Sequence, residues 1–297
     1  MIARLYQPSV AKELLREHGF TLKKHYGQNF LIDGHVLNAI VEEAMADADD
    51  SLKVAALEIG PGIGTLTQAL AEAGFEKVLA IEKDRQLLPL LNETMRHYPQ
   101  VEVILADALK FDFSTLLDSY RHEFSFRLVA NLPYYITTPI VMKMLESQLP
   151  FVKMVVMVQK EVAERMVAKP GTKAYGALSV AIQYYGEPFY LQTVSAASFL
   201  PNPGVHSAIV SLRMRPHPDA VGVDRILFFK VVRGSFSQRR KTLLNALAGE
   251  FQNLSKSTVS KWIKLASIDS NRRGETLSIR EFAELAHMYQ VHFQLGV

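Results

Sequence analysis

Cysteine is absent from the 297 residues, and with it every chemistry that depends on a thiolate. A disulfide framework, a cysteine-ligated cluster, an iron–sulfur radical and a covalent cysteine adduct on a substrate carbon are all excluded. Nine histidines are scattered without a metal-ligand spacing, so no metal site is expected. Long apolar runs are also missing. Nothing approaches the roughly 18 uninterrupted residues of a membrane span, and the N-terminal segment mixes charges into an amphipathic pattern with no signal-peptide core. A soluble, cytoplasmic, monomeric protein without a membrane partner is expected. Excess charge is small, at +3, so a polyanionic partner is permitted but has to be argued from local clusters.

Against these absences stands one well-formed stretch, Glu58-Ile59-Gly60-Pro61-Gly62-Ile63-Gly64-Thr65. The apolar run Val54–Leu57 leads into it, and Leu66–Ala73 follows with apolar residues at helical spacing, which predicts a strand, a glycine turn and a helix. Glycines let the backbone approach a ligand closely and supply the dihedrals of a tight strand-to-helix turn. Glu82, 22 residues beyond Gly60, ends the next strand-like run, where its carboxylate can accept from both hydroxyls of a ribose. A dinucleotide fingerprint would place its third glycine at residue 65, which is Thr65. The pattern acid-x-Gly-x-Gly-x-Gly resembles instead motif I of S-adenosylmethionine-dependent methyltransferases of the doubly wound type.

From Val54 onward, strand-like runs at 54–58, 77–82, 101–105, 126–130 and 152–158 alternate with helix-like runs at 65–73, 84–96, 138–147 and 159–168. This is the signature of an α/β protein with a mostly parallel sheet covered on both faces. Ligand groups in such a sheet gather at the carboxyl ends of the strands, which here are marked by Gly60, Glu82, Asp107 and Asn131. Asp107 is placed either to accept from an adenine amino group or to cap a helix. Asn131-Leu132-Pro133-Tyr134 carries the most specific chemistry. An adenine amino nitrogen is a poor nucleophile because its lone pair is delocalised into the ring. Two acceptors, the Asn131 side-chain oxygen and a backbone carbonyl near Leu132, draw that nitrogen toward tetrahedral geometry. Pro133 stiffens the turn, and the Tyr134 ring offers a stacking face for a flipped-out base.

The flanking segments are less committed. Lys23 to Asp33 reads as a loop and helix cap, or as a basic arm and lid in which Lys23 and Lys24 meet phosphate and Gln28 and Asn29 meet a ligand. Helix-like runs at 9–18, 35–46 and 177–185 and strand-like runs at 189–195 and 207–214 complete the first part of the chain. Phe199, in a proline-stiffened link, is either the second face of an aromatic clamp or a packing residue. After Arg215-Pro216 no strand pattern remains, and helix-like runs at 224–236, 239–250, 255–266 and 278–289 predict a small all-helical domain. Its cations Arg239, Arg240 and Lys241 can grip RNA phosphates or can be solvated surface.

Taken together these residues resemble the ribosomal small-subunit RNA adenine dimethyltransferases. The likeness rests on Gly27-Gln28-Asn29-Phe30-Leu31, the Glu58–Thr65 turn, Glu82, Asp107-Ala108, Asn131-Leu132-Pro133-Tyr134, Gln159-Lys160-Glu161, Tyr175-Gly176, Phe199-x-Pro-x-Pro203-x-Val205-x-Ser207 and Gln238-Arg239-Arg240-Lys241. The resemblance implies a Rossmann-like domain over residues 1–215, with a seven-stranded, mostly parallel sheet, and a helical RNA-binding domain over 216–297. It implies S-adenosylmethionine as cofactor, held by Asn29, Leu31, Gly60, Gly62, Glu82, Asp107 and Asn131. The reaction implied is dimethylation at N6 of two adjacent adenines near the 3′ end of 16S ribosomal RNA, in a late small-subunit precursor. An assembly factor that mainly binds immature subunits is the alternative. Ser237 stands where the family usually has Asn, and Gly204 where it often has Lys; both positions bear on RNA docking more than on methyl transfer.

Overall fold

The expected alternation of strands and helices is realised around one sheet. A computed structural model describes residues 3–20, 28–47, 52–120, 122–147, 149–216, 222–238 and 240–294. They group into two compact units, Met1–Ala163 with Phe189–Met214, and Glu164–Pro188 with Arg215–Val297. The division expected at residue 215 follows the chain, whereas by packing the segment Glu164–Pro188 joins the helical unit.

In chain order the elements are α1 (Pro8–Glu17), β1 (Phe30–Leu31), α2 (Gly34–Met45), β2 (Lys53–Ile59), α3 (Thr65–Glu72), β3 (Lys77–Glu82), α4 (Leu88–Met95), β4 (Val101–Leu105), α5 (Phe113–Asp118), β5 (Phe124–Asn131), α6 (Thr137–Glu146), β6 (Phe151–Gln159), α7 (Lys160–Met166), α8 (Ala177–Tyr185), β7 (Gly186–Val194), β8 (Phe199–Leu200) and β9 (Ser207–Met214). Seven strands form one sheet in the order β4-β3-β2-β5-β6-β9-β7. The pairs β2/β3, β3/β4, β2/β5 and β5/β6 are parallel and β6/β9 is antiparallel. Chain progression reverses at β2, with β3 on one side and β5 on the other, and a crevice opens there at the carboxyl ends of the strands.

Burial follows position in the sheet. β2 and β5 are buried along almost their whole length, as expected of central strands covered on both faces. β7, at one edge, is buried only at its two end residues and alternates exposed and half-buried positions between them. Two cations nevertheless sit inside. Arg127 Nε donates to Ala44 O at 2.9 Å, and Lys153 Nζ donates to Glu43 O and Ala46 O at 3.0 and 2.9 Å. Both thereby satisfy carbonyls that the last turn of α2 leaves without intrahelical donors.

Two features carry no period in the sequence. β1 and β8 pair as a separate antiparallel ribbon, Phe30 opposite Leu200 and Leu31 opposite Phe199. The Asp33 carboxylate then caps α2 through His35 N and Val36 N, and its second oxygen accepts from Ser198 Oγ at 2.8 Å. The segment before α2 is thus held by the ribbon and by the Asp33 carboxylate.

The second unit continues through α9 (Arg225–Phe236), α10 (Leu243–Glu250), α11 (Lys256–Leu265) and α12 (Ile279–Tyr289). Its core is aromatic. Trp262 is fully buried, donates from Nε1 to Leu285 O at 2.7 Å and meets Phe251 and Tyr289 edge-on, while those two rings meet each other tilted. Ser278 and Glu281 form a capping box at the start of α12, and Arg272 pairs with Glu281. This unit holds 16 Lys and Arg against 9 Asp and Glu, so it carries a net charge of +7 while the whole chain carries only +3. Among the described residues no helix is long and apolar enough to cross a membrane, and no cluster of three or more metal-ligating side chains occurs.

Candidate active site

The switch point of the sheet holds an open cavity of about 960 Å³, its mouth included. Its wall is built from the strand ends. Gly60, Pro61 and Gly62 come from the turn after β2, Glu82, Lys83 and Asp84 from the end of β3, and Asp107 from beyond β4. Asn131 to Ile136 come from the end of β5, and Gln28 to Leu31 close one side. The structure therefore brings together Asn29, Leu31, Gly60, Gly62, Glu82, Asp107, Asn131, Leu132, Pro133 and Tyr134 on one wall.

The turn's geometry separates the roles of its glycines. Gly62 has φ +61°, and a Cβ there would stand 2.9 Å from Phe30 Cδ1. Gly64 has φ +88° and does not face the cavity; its Cβ would meet Met95 Cε at 2.7 Å. The last glycine thus serves the packing of α3 on α4, Gly62 admits the close approach of Phe30, and of the three only Gly60 and Gly62 line the cavity. Thr65, which opens α3, is buried on the cavity wall, and among the described residues its Oγ1 finds no hydrogen-bond partner. An orphaned hydroxyl of this kind costs stability unless a ligand or water meets it.

Two buried acids face this wall. Glu82 accepts from Gly62 N at 3.3 Å, Lys83 N at 2.8 Å and Asp84 N at 2.7 Å. Burial still raises its carboxyl above the usual range, outweighing these three amides. Glu58 is 1% exposed, and burial, with the nearby charge of Glu82, pushes it up to about 8 despite a 2.6 Å hydrogen bond from Thr67 Oγ1. A buried acid that is raised in the folded state binds a proton there which the unfolded chain has released. Its contribution to stability is therefore lost as pH rises from the unfolded range, near 4.5, through about 8. Ligand-free protein is expected to melt at progressively lower temperature across that window, and Glu58→Gln is expected to flatten the dependence. Thermal unfolding of both proteins at several pH values checks this.

At the end of β5, Asn131 Nδ2 donates to Asn29 O at 3.1 Å, which fixes the amide and leaves Oδ1 as an acceptor at the cavity. Leu132 N donates to Met157 O at 3.0 Å, and Pro133 O is taken by Ile136 N and Thr137 Oγ1. Among the described residues no donor takes Leu132 O, so of the two turn carbonyls it is the one left open. The Tyr134 hydroxyl shares a 2.7 Å hydrogen bond with Ser207 Oγ, and burial raises its phenol.

Several expectations are corrected or completed. Phe199 does not stand at the rim: it is 3% exposed, lies in the core with Leu31, Leu37 and Val129, and is not part of the cavity wall. Its pairing opposite Leu31 in the ribbon turns the ring inward, so it offers no open face to a base. Asp107 is a local cap as well as a wall residue, accepting from Leu109 N, and Lys83 Nζ at 3.0 Å holds its carboxyl below the usual range. Asp84 was not anticipated. It is buried and accepts from Gln86 N and from Gln28 Nε2 at 3.0 Å, tying the segment before β1 to the end of β3. The doublet Glu82-x-Asp84 was its only sequence signal. Arg240 and Lys241 are exposed in the turn before α10, whereas Lys23, Lys24 and Arg239 lie outside the described residues.

The chain is similar to known proteins over nearly its whole length. The family model described as ribosomal RNA adenine dimethylase matches residues 19–290. The chain is 48% identical over 288 residues to the ribosomal RNA small subunit methyltransferase A of Bacillus thuringiensis, covering 96% of this chain and 97% of that one. The protein of the same name from Bacillus mycoides is 47% identical over the same coverage. Among solved structures, a dimethyladenosine transferase from Plasmodium falciparum superposes with a TM-score of 0.71 at 25% identity, covering 88% of this chain and 98% of that one. The 23S rRNA methyltransferase ErmE shares the fold, with a TM-score of 0.65 at 24% identity over 88% of this chain and 100% of that one.

Proposed function

Given that the chain belongs to the ribosomal RNA adenine dimethylase family, we propose that it transfers methyl groups from S-adenosylmethionine to N6 of two adjacent adenines near the 3′ end of 16S ribosomal RNA, in a late small-subunit precursor in the cytoplasm. The observation that carries this reading is the pairing, on one cavity wall, of a ribose-accepting carboxylate at Glu82 with the acceptor pair of Asn131 Oδ1 and Leu132 O. The cavity suits the cofactor: Gly60 and Gly62 present bare backbone on its wall, the Thr65 hydroxyl finds no partner among the described residues, and Glu82 stands ready to accept from two ribose hydroxyls. Asn29, Leu31 and Asp107 complete the enclosure. When bound, the cofactor supplies an electrophilic sulfonium methyl.

The protein's own residues do the rest. Asn131 Oδ1 and Leu132 O accept the two amino hydrogens of an adenine and concentrate its lone pair on nitrogen. After one methylation a single hydrogen remains, and one of the two acceptors still holds it, so the same pair serves both transfers. Pro133 keeps the turn stiff, and the Tyr134 ring stacks on the extruded base. No strong base is required, because the nitrogen becomes acidic once methylated.

Arg240 and Lys241, on the strongly cationic second unit, are proposed to contact RNA phosphates together with Arg239, Lys23 and Lys24. Reversing Arg240 and Lys241 to Glu is expected to weaken binding to small-subunit precursors and to lower the magnitude of the logarithmic salt slope by roughly 1.5 to 2. Filter binding across a salt series measures both. The test of the reading as a whole is transfer of labelled methyl to subunits from a strain that lacks the modification. Incorporation into small subunits and not large ones is expected; incorporation into large subunits alone would reject the proposed substrate.

A further inference from the structure

We propose that Ser207 is a positioning residue for methyl transfer, acting through a hydrogen bond that pins the Tyr134 ring at its far end. The inference rests on the proposed stacking role of Tyr134. Tyr134 is held at its backbone by the stiff turn, through Leu132 N to Met157 O and Ile136 N to Pro133 O. A phenol ring fixed only there still turns about χ1 and χ2. Its hydroxyl, however, lies 2.7 Å from Ser207 Oγ, and Ser207 is 0% exposed, so the serine end of the bond is shielded from solvent. The serine is itself fixed. It is the first residue of β9, opposite Gln159 at the end of β6, and Lys160 N donates to His206 O at 3.0 Å beside it.

This bond gives the run from Phe199 to Ser207 a place in the chemistry. Phe199, at one end of the run, is core, whereas Ser207, at the other end, reaches the cavity wall through the tyrosine. The antiparallel return of β9 brings its first residue to the same rim as the carboxyl ends of β5 and β6. A residue 73 positions away in the chain therefore sets the orientation of the stacking face.

The hydroxyl pair predicts a specific pattern in a double-mutant cycle. Ser207→Ala and Tyr134→Phe each remove one partner, and each is expected to lower kcat about tenfold, within what a misplaced reacting group costs. Cofactor affinity, measured by calorimetry, is expected to stay within about twofold, since neither hydroxyl is proposed to touch the cofactor. The double variant is expected to be no slower than either single variant. If Ser207→Ala costs the same factor in the Tyr134→Phe background as in the wild type, Ser207 does not act through the tyrosine and the inference fails. Tyr134→Ala separates this from the underlying reading. Near-wild-type turnover in that variant removes the stacking role itself, whereas a large loss alongside an additive cycle removes only the role of Ser207.

Discussion

Asn131→Ala is expected to lower the rate of methyl transfer by about 100-fold or more, the cost of removing one preorganised polar group aimed at a reacting atom. Cofactor affinity is expected to remain within about tenfold, because most of the wall that encloses it is untouched. The size of the effect follows from how firmly the amide is held. Its Nδ2 is committed to Asn29 O at 3.1 Å, so the oxygen costs little to align when an adenine arrives. Alanine also leaves the Leu132 carbonyl as the sole acceptor, and the lone pair is then released from the ring less completely. Single-turnover transfer with cofactor saturating isolates this step from binding. A rate within a few fold of wild type would remove Asn131 from the chemistry.

The second large effect is expected at Glu82. Replacing it with Ala deletes two charge-assisted acceptors for the ribose, each worth about 1.5–3 kcal/mol, so the cofactor dissociation constant is expected to rise by about 100-fold or more. The same carboxylate gathers the amides of Gly62, Lys83 and Asp84, so its loss also frees the turn that the cofactor approaches. Burial raises the pKa of Glu82, and the charged form is the better acceptor. Cofactor affinity is therefore expected to weaken as pH falls into the range where this acid takes up a proton, and to become insensitive to that titration in Glu82→Gln. Calorimetric titration of both variants reads the affinity and its pH dependence together.

Much of this site is legible before any coordinates, because it sits where a parallel sheet must put it. Once β2, β3 and β5 are read from buried apolar runs, Gly60, Glu82 and Asn131 fall at their carboxyl ends by counting alone. The remainder depends on contacts that no local pattern encodes. The two-residue strands β1 and β8 are too short for any period to show. Their pairing, 168 or more positions apart in the chain, is what turns Phe199 into the core. Asp84 gains its place from Gln28, 56 residues earlier, and Ser207 gains its own from Tyr134. The grouping of Glu164–Pro188 with the C-terminal helices is tertiary in the same sense. Tyr175 donates to Leu277 O at 3.0 Å, a partner 102 residues away.

The most direct test of the proposed reaction is the number and position of methyls on the product. Small subunits lacking the modification would be treated with the purified protein and S-adenosylmethionine, and the 3′-terminal fragment of their 16S RNA analysed by mass spectrometry. Two neighbouring adenines, each carrying two methyls at N6, are predicted. Methyls on another base, a single methyl per adenine at completion, or no transfer by protein that binds the cofactor would contradict the account.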